Sequence, residues 1–151
     1  MNTKRLLLSI LVLFVANFFM NFLIHGLWLQ STYKETMSLW RSEPEMQARF
    51  VWMLLGQFIF SSTFACIWAA GFAEKRCAGC ACAFGVLMAL FSQSISIINY
   101  VVMPLPPSLV AKWVVAGLVH GVLLGLLAFS VYKPKPAESK STQQPAAAAA
   151  V

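Results

Sequence analysis

Acidic side chains are scarce in this chain, five among 151 residues, and none falls within its long apolar runs. Proton-coupled pumps and small multidrug exporters usually hold an intramembrane carboxylate to bind protons or cations, so that mechanism is disfavoured. The paired carboxylates of acid–base hydrolysis are missing too, and no catalytic residue is assigned. Charge of either sign is low. Charged residues make up 11% of the chain, whereas an average soluble domain carries roughly 25%. A soluble fold of this size could not cover itself with so few. Apolar types reach 60% and mean hydropathy is +0.74, so the natural solvent for the surplus apolar surface is lipid.

Net charge is +6. No segment combines a basic face with interleaved aromatics, which excludes nucleic acid as an expected partner. Lys4, Arg5, Lys75, Arg76, Lys133, Lys135 and Lys140 sit instead at segment ends and in the tail. There they act as topology signals and headgroup contacts, making the bilayer the expected partner.

Four apolar stretches are long enough to cross: Leu6 to Leu29, Phe50 to Phe72, Cys80 to Met103 and Leu109 to Tyr132. Each would reach roughly 35 Å as a helix, against a hydrocarbon core about 30 Å thick. Only Lys112 interrupts, near an end where its stem can snorkel. The first stretch begins like a signal peptide, but its apolar run continues far past a normal h-region and no small-x-small cleavage site follows, so it reads as a retained anchor. The amino terminus, second loop and tail hold seven of the eleven Lys and Arg residues, which predicts an N-in/C-in orientation. The domain reading is one membrane unit over residues 1–132 and a tail, 133–151. That tail is rich in Pro, Ala and Lys and is expected to be disordered, because it cannot offset the entropy of ordering.

In the first loop, Tyr33, Met37 and Trp40 are spaced to share one helix face. This predicts a short amphipathic helix at the membrane surface, with Tyr33 and Trp40 as interfacial anchors. The functional alternative is a lid over an outer cavity. Ser42-Glu43-Pro44-Glu45 reads as a capping box from which the second helix would start. Pro104-Leu105-Pro106-Pro107 forces a tight turn between spans three and four. The stretch Leu23 to Leu29 echoes Leu118 to Leu124, each with a His-Gly step, but a match among such residue types is read as chance.

The intramembrane polar residues are uncharged. Asn17, Asn21 and His25 recur every fourth residue along span one, within an arc of roughly 80°. Ser92, Ser96 and Asn99 share a face of span three, and Gln57 and Ser61 one of span two. Gly117, Gly121 and Gly125 form a stripe on span four, bordered by His120. Such residues must face the bundle interior. Helix packing is the preferred reading, and it offers the glycine face of span four to a second copy or another protein. The alternative is a small-solute or ion pathway along the polar face. Aligning the span ends separates His25 and His120 by about 9 Å in depth. That argues against a two-histidine haem site, and no metal or cofactor is expected.

Cys77, Cys80 and Cys82 cluster where span three begins. C-x-x-C suits redox or metal chemistry, but no second such pair or nearby histidine completes a zinc set. Quinone-linked thiol oxidoreductases would need a cysteine pair on the outer side, and the outer loops contain none. The preferred reading is small apolar fillers, with a cytoplasmic-side redox or metal protein as a further alternative.

The stretch His25-Gly26-Leu27-Trp28-Leu29, with Tyr33, Leu39-Trp40-Arg41, Glu43, Glu45 and Met46, resembles small bacterial four-helix membrane proteins grouped as a domain of unknown function. The resemblance covers residue 17 to about 130 and implies a bacterial inner-membrane protein, with no activity attached. The resulting expectation is an all-α, four-span transmembrane bundle with a short interfacial helix after span one. Its expected role is a structural or accessory membrane component rather than an enzyme.

Overall fold

A computed structural model describes residues 2–75 and 77–134. Most of the expected tail, residues 135–151, lies outside the described residues, as does Arg76. Asn2 opens α1 (Thr3–Asn21), its Oδ1 accepting the Arg5 N–H at 3.2 Å. The helix then widens into a π-helical stretch, Phe22–Trp28. There the N–H groups reach one residue further back, as Leu29 does to the Ile24 carbonyl at 2.9 Å. Together these form the first crossing, Thr3–Trp28.

The first loop departs from its expected form. α2 (Gln30–Glu35) ends at Thr36, whose backbone leaves the helical region at φ −109° and ψ 24°. One 3-10 turn, Met37–Leu39, follows. Tyr33 and Trp40 therefore do not lie along one continuous helix. They turn inward, with ring centroids 5.5 Å apart, while Met37 stays exposed. Hydrogen bonding explains the turn: Thr36 Oγ1 accepts the Trp40 indole N–H at 2.9 Å and donates to the Thr32 carbonyl at 2.8 Å.

At Ser42 the Glu45 carboxylate accepts both the serine N–H (3.1 Å) and its hydroxyl (2.9 Å). Those bonds, the hydroxyl's first, hold the Glu45 carboxyl below its ordinary range. The helix begun there, α3 (Glu43–Gln47), stops before the membrane. α4 (Phe50–Ile67) starts anew and runs through a π turn, Trp68–Phe72, and a 3-10 turn, Ala73–Lys75. α5 (Ala78–Val102) and α6 (Pro107–Val131) complete the bundle, joined by the proline turn. Four helical stretches are long and apolar enough to cross a membrane. Large apolar side chains such as Trp52, Phe91, Val101 and Val119 stand exposed on spans two, three and four, a surface suited to lipid. The chain is an all-α bundle that crosses the membrane four times, with a short helix after the first crossing.

Two packed regions hold it. At the amino-terminal end, Leu6, Leu13, Phe64, Trp68, Phe84, Leu124 and Tyr132 form a buried core, and Tyr132 Oη accepts the Asn2 N–H at 3.2 Å. Phe84 is its hub, 4.7 Å from Phe64, 4.8 Å from Phe72 and 5.4 Å from Trp68 between ring centroids. At the other end Leu29, Leu105, Leu109 and Val110 are buried beneath Tyr33, Trp40 and Trp113. Beside the first of these regions α5 and α6 meet backbone to backbone. A Cβ on Gly121 would stand 2.5 Å from the Gly85 carbonyl oxygen, and one on Gly125 would strike the Ala81 carbonyl. Lipid supplies no hydrophobic drive between helices, so this close van der Waals contact is what joins them.

Candidate functional site: a polar cavity between spans one, three and four

Above the glycine contact the helices part around a cavity of about 280 Å³. Span one contributes Asn21, Ile24 and His25, and span three contributes Gln93 and Ser96. Trp113, Ala116, Gly117 and His120 complete it from span four. Gly117 makes the room, because a Cβ there would run into the Gln93 carboxamide lying across it. Ser96 Oγ donates to Gln93 Oε1 at 3.0 Å, which fixes the amide orientation and leaves its NH2 group as a donor.

His25 is held by a relay. Trp113 Nε1, which can only donate, gives its proton to Tyr33 Oη at 2.8 Å. Tyr33 Oη in turn lies 2.6 Å from His25 Nδ1. Burial keeps the Tyr33 phenol above its ordinary range, outweighing the Trp113 bond that acts the other way. The phenol therefore keeps its single proton, and donating it to Nδ1 satisfies all three side chains. This assigns His25 as the Nε2–H tautomer. Tyr33→Phe removes the shared oxygen and leaves both the indole N–H and Nδ1 unpaired. The expected loss is about 1–3 kcal/mol of stability, read as a lower unfolding midpoint in detergent.

The polar stripe of span one divides. Asn17 is buried and donates to Gln57 Oε1 at 3.2 Å, so it ties α1 to α4 and stays out of the cavity. Asn21 donates to the Asn17 side-chain oxygen at 3.0 Å and backbone oxygen at 2.9 Å, which leaves its own Oδ1 free to accept at the cavity wall. On span three, Ser92 bonds back to the Ala89 carbonyl at 3.0 Å. Neither Ser92 nor Asn99 lines the cavity, and Ser96 does. Ser61 is buried on α4 with no hydrogen-bond partner for its hydroxyl among the described residues.

His25 and His120, expected about 9 Å apart in depth, line the same cavity. The cavity runs along the helices, since Trp113 and His120, seven residues apart and so about 10 Å apart in rise, both line it. The span ends are also not level. Lys112 Nζ donates to Thr32 Oγ1 at 2.9 Å, which sets the second turn of α6 beside α2. Lys112 is thus tied to the first loop rather than snorkelled to headgroups. His120 Nε2 is buried with no hydrogen-bond partner among the described residues, a state that costs roughly 1–3 kcal/mol. The two His-Gly steps are not structurally equivalent: one lies in the π-helical stretch, the other in regular α-helix.

The glycine face is occupied within the chain. Gly121 and Gly125 meet Gly85 and Ala81 of α5, and Gly117 meets Gln93. The second copy expected on this face has no surface to dock against, because a helix of the same chain fills it.

Three residues here carry more than the sequence reading gave them. Gln93 follows Ser92 directly and is three residues before Ser96, a helical spacing that was available as a signal. Tyr33 and Trp113 look like ordinary interfacial aromatics, and only the fold brings them to His25. Among the described residues, no three His, Cys, Asp or Glu side chains are grouped to hold a metal ion.

No protein-family model, curated protein or solved structure matches the chain. The resemblance to the bacterial family therefore rests on the quoted residues alone. The class defined by the fold is a small four-helix membrane-spanning protein.

Proposed function

We propose that this chain is a non-enzymatic, multi-pass protein of a bacterial inner membrane, oriented N-in/C-in, whose cavity receives a small uncharged polar solute from the outer side. The observation that carries the reading is the convergence of Asn21, His25, Gln93, Ser96 and His120 on one cavity. The wall offers donors (Gln93 NH2, His25 Nε2–H) and an acceptor (Asn21 Oδ1). Among the described residues no carboxylate or ammonium group lines it, which suits neutral molecules better than ions. Its volume, about 280 Å³, falls just below the roughly 300–1,000 Å³ of drug-sized sites, which suits a small solute. The first loop, joined to the wall through Tyr33 and Trp40, fits the role of lid better than that of anchor. A structural or accessory role accounts for the close α5–α6 contact, and solute binding at the cavity is the finer reading proposed within it.

Cysteine accessibility tests this. In a background with the native cysteines replaced, Ser96→Cys is expected to react with a small water-soluble methanethiosulfonate added from outside. Ser94→Cys, two residues away and exposed on the lipid side, is expected to stay unlabelled. Equal protection of both positions would sink the reading. Labelling of Ser96→Cys only from the inside would reverse the orientation.

A further inference from the structure

The cysteines at the start of span three stand outside the cavity account. Cys77 is the N-cap of α5, with extended backbone, φ −128° and ψ 126°, and its Sγ accepts the Cys80 N–H at 3.1 Å. The residues between are Ala78 and Gly79, both exposed, and both thiols are half-buried. A Cβ on Gly79 would already touch Cys77 Sγ, at 3.6 Å, so the small residues leave the sulfur open to approach. The Cys77 thiol lies below its ordinary range. The cause is first the hydrogen bond from the Cys80 thiol, then that from the Cys80 amide, with smaller help from the Gly79 amide and the Lys75 charge. A cysteine sulfur that caps a helix start and accepts a backbone N–H, with a second cysteine one turn on, is placed as thiol–disulfide exchange requires.

We propose that Cys77 and Cys80 form a reversible dithiol–disulfide pair that exchanges with low-molecular-weight disulfides at the membrane edge, Cys77 attacking and Cys80 resolving. The Cys77 thiolate attacks one sulfur of the small disulfide, forming a mixed disulfide and releasing one small thiolate. The Cys80 thiol then loses its proton to solvent and attacks the Cys77 sulfur. The protein disulfide forms and the second small thiolate leaves. The two protein thiols are oxidised, the small disulfide is reduced to two thiols by the same two electrons, and the released thiolates take up the two protons. At a cytoplasmic edge the pair would rest reduced and oxidise transiently. Of the other cysteines, only Cys80 is joined to Cys77 by a hydrogen bond, so Cys82 and Cys66 are given no part.

The test uses the full chain in detergent with oxidised glutathione as probe. Wild type is expected to form one Cys77–Cys80 disulfide, seen by peptide mass spectrometry and reversed by dithiothreitol. Cys80→Ser is expected to trap one glutathione on Cys77. Cys77→Ser is expected to take up none at this site, and serine keeps the cap. In untreated wild type, Cys77 should alkylate at least about fivefold faster than Cys82 at neutral pH. Equal alkylation rates, no trapped adduct in Cys80→Ser, or oxidation that links two chains instead of these two residues would each overturn the proposal. The alkylation rates need no variant, so a Cys77→Ser protein that failed to fold would leave the test intact.

Discussion

Gly121→Leu is expected to cost about 3 kcal/mol of folding stability and to leave the oligomeric state unchanged. The hydrogen that stands in place of a side chain at Gly121 faces the Gly85 carbonyl, with the Ala89 Cβ 2.8 Å from where a Cβ would stand. Neither neighbour is the loose end of a flexible chain, so α5 and α6 must separate along their length. That separation forfeits the contacts that hold the two helices together in lipid, where apolar transfer gives no compensation. Reversible unfolding in mixed detergent micelles measures the loss. Gly56→Ala and Gly71→Ala are the controls. Among the described residues, nothing lies within 4 Å of a Cβ at either position, and alanine is the better helix former by about 1 kcal/mol. If Gly121→Leu altered association while folding as stably as wild type, the assignment of this face to the chain's own interior would be wrong.

Phe84→Ala is expected to cost roughly 3–5 kcal/mol. Phe84 is 1% exposed and is the ring on which Phe64, Trp68 and Phe72 converge from span two. Truncation leaves three aromatic edges facing a void that backbone held at the neighbouring glycine contact cannot close. The same unfolding measurement reads it, and the Trp68 environment reports on it through fluorescence. Phe91→Ala, on an exposed side chain of the same helix, should cost far less. Equal losses at the two positions would mean that the aromatic cluster is not a core.

These expectations show where the sequence was legible. Four crossings, the proline turn and the Ser42–Glu45 pair could be read directly, because run length, Pro and a capping pattern act locally. The glycines of α6 announced a close approach but not to which helix, since the complementary surface at Ala81, Gly85 and Ala89 has no signature beyond small residues. The cavity was half legible. Asn21, His25, Ser96 and His120 were recognisable as inward-facing polar groups, but Asn17 looked identical to Asn21 and proved to be a link to Gln57. Two physical facts blurred the rest. The π-helical stretch at Phe22–Trp28 breaks the regular helical period along which Asn17, Asn21 and His25 were aligned. The bond between Lys112 and Thr32 joins residues eighty positions apart, and no local pattern discloses it. Cys77 was readable as part of C-x-x-C, whereas its place as helix cap depended on span three starting at Ala78 rather than Cys80.

The central claim is that the polar cavity between spans one, three and four, lined by His25 and His120, is hydrated. Nitrogen-15 and proton NMR of histidine-labelled protein in bicelles tests it most directly. His25 is expected as the Nε2–H tautomer, shifted towards a mixture in Tyr33→Phe, with water contacts at both imidazole rings. Two dry rings, with a His25 tautomer indifferent to Tyr33→Phe, would contradict it.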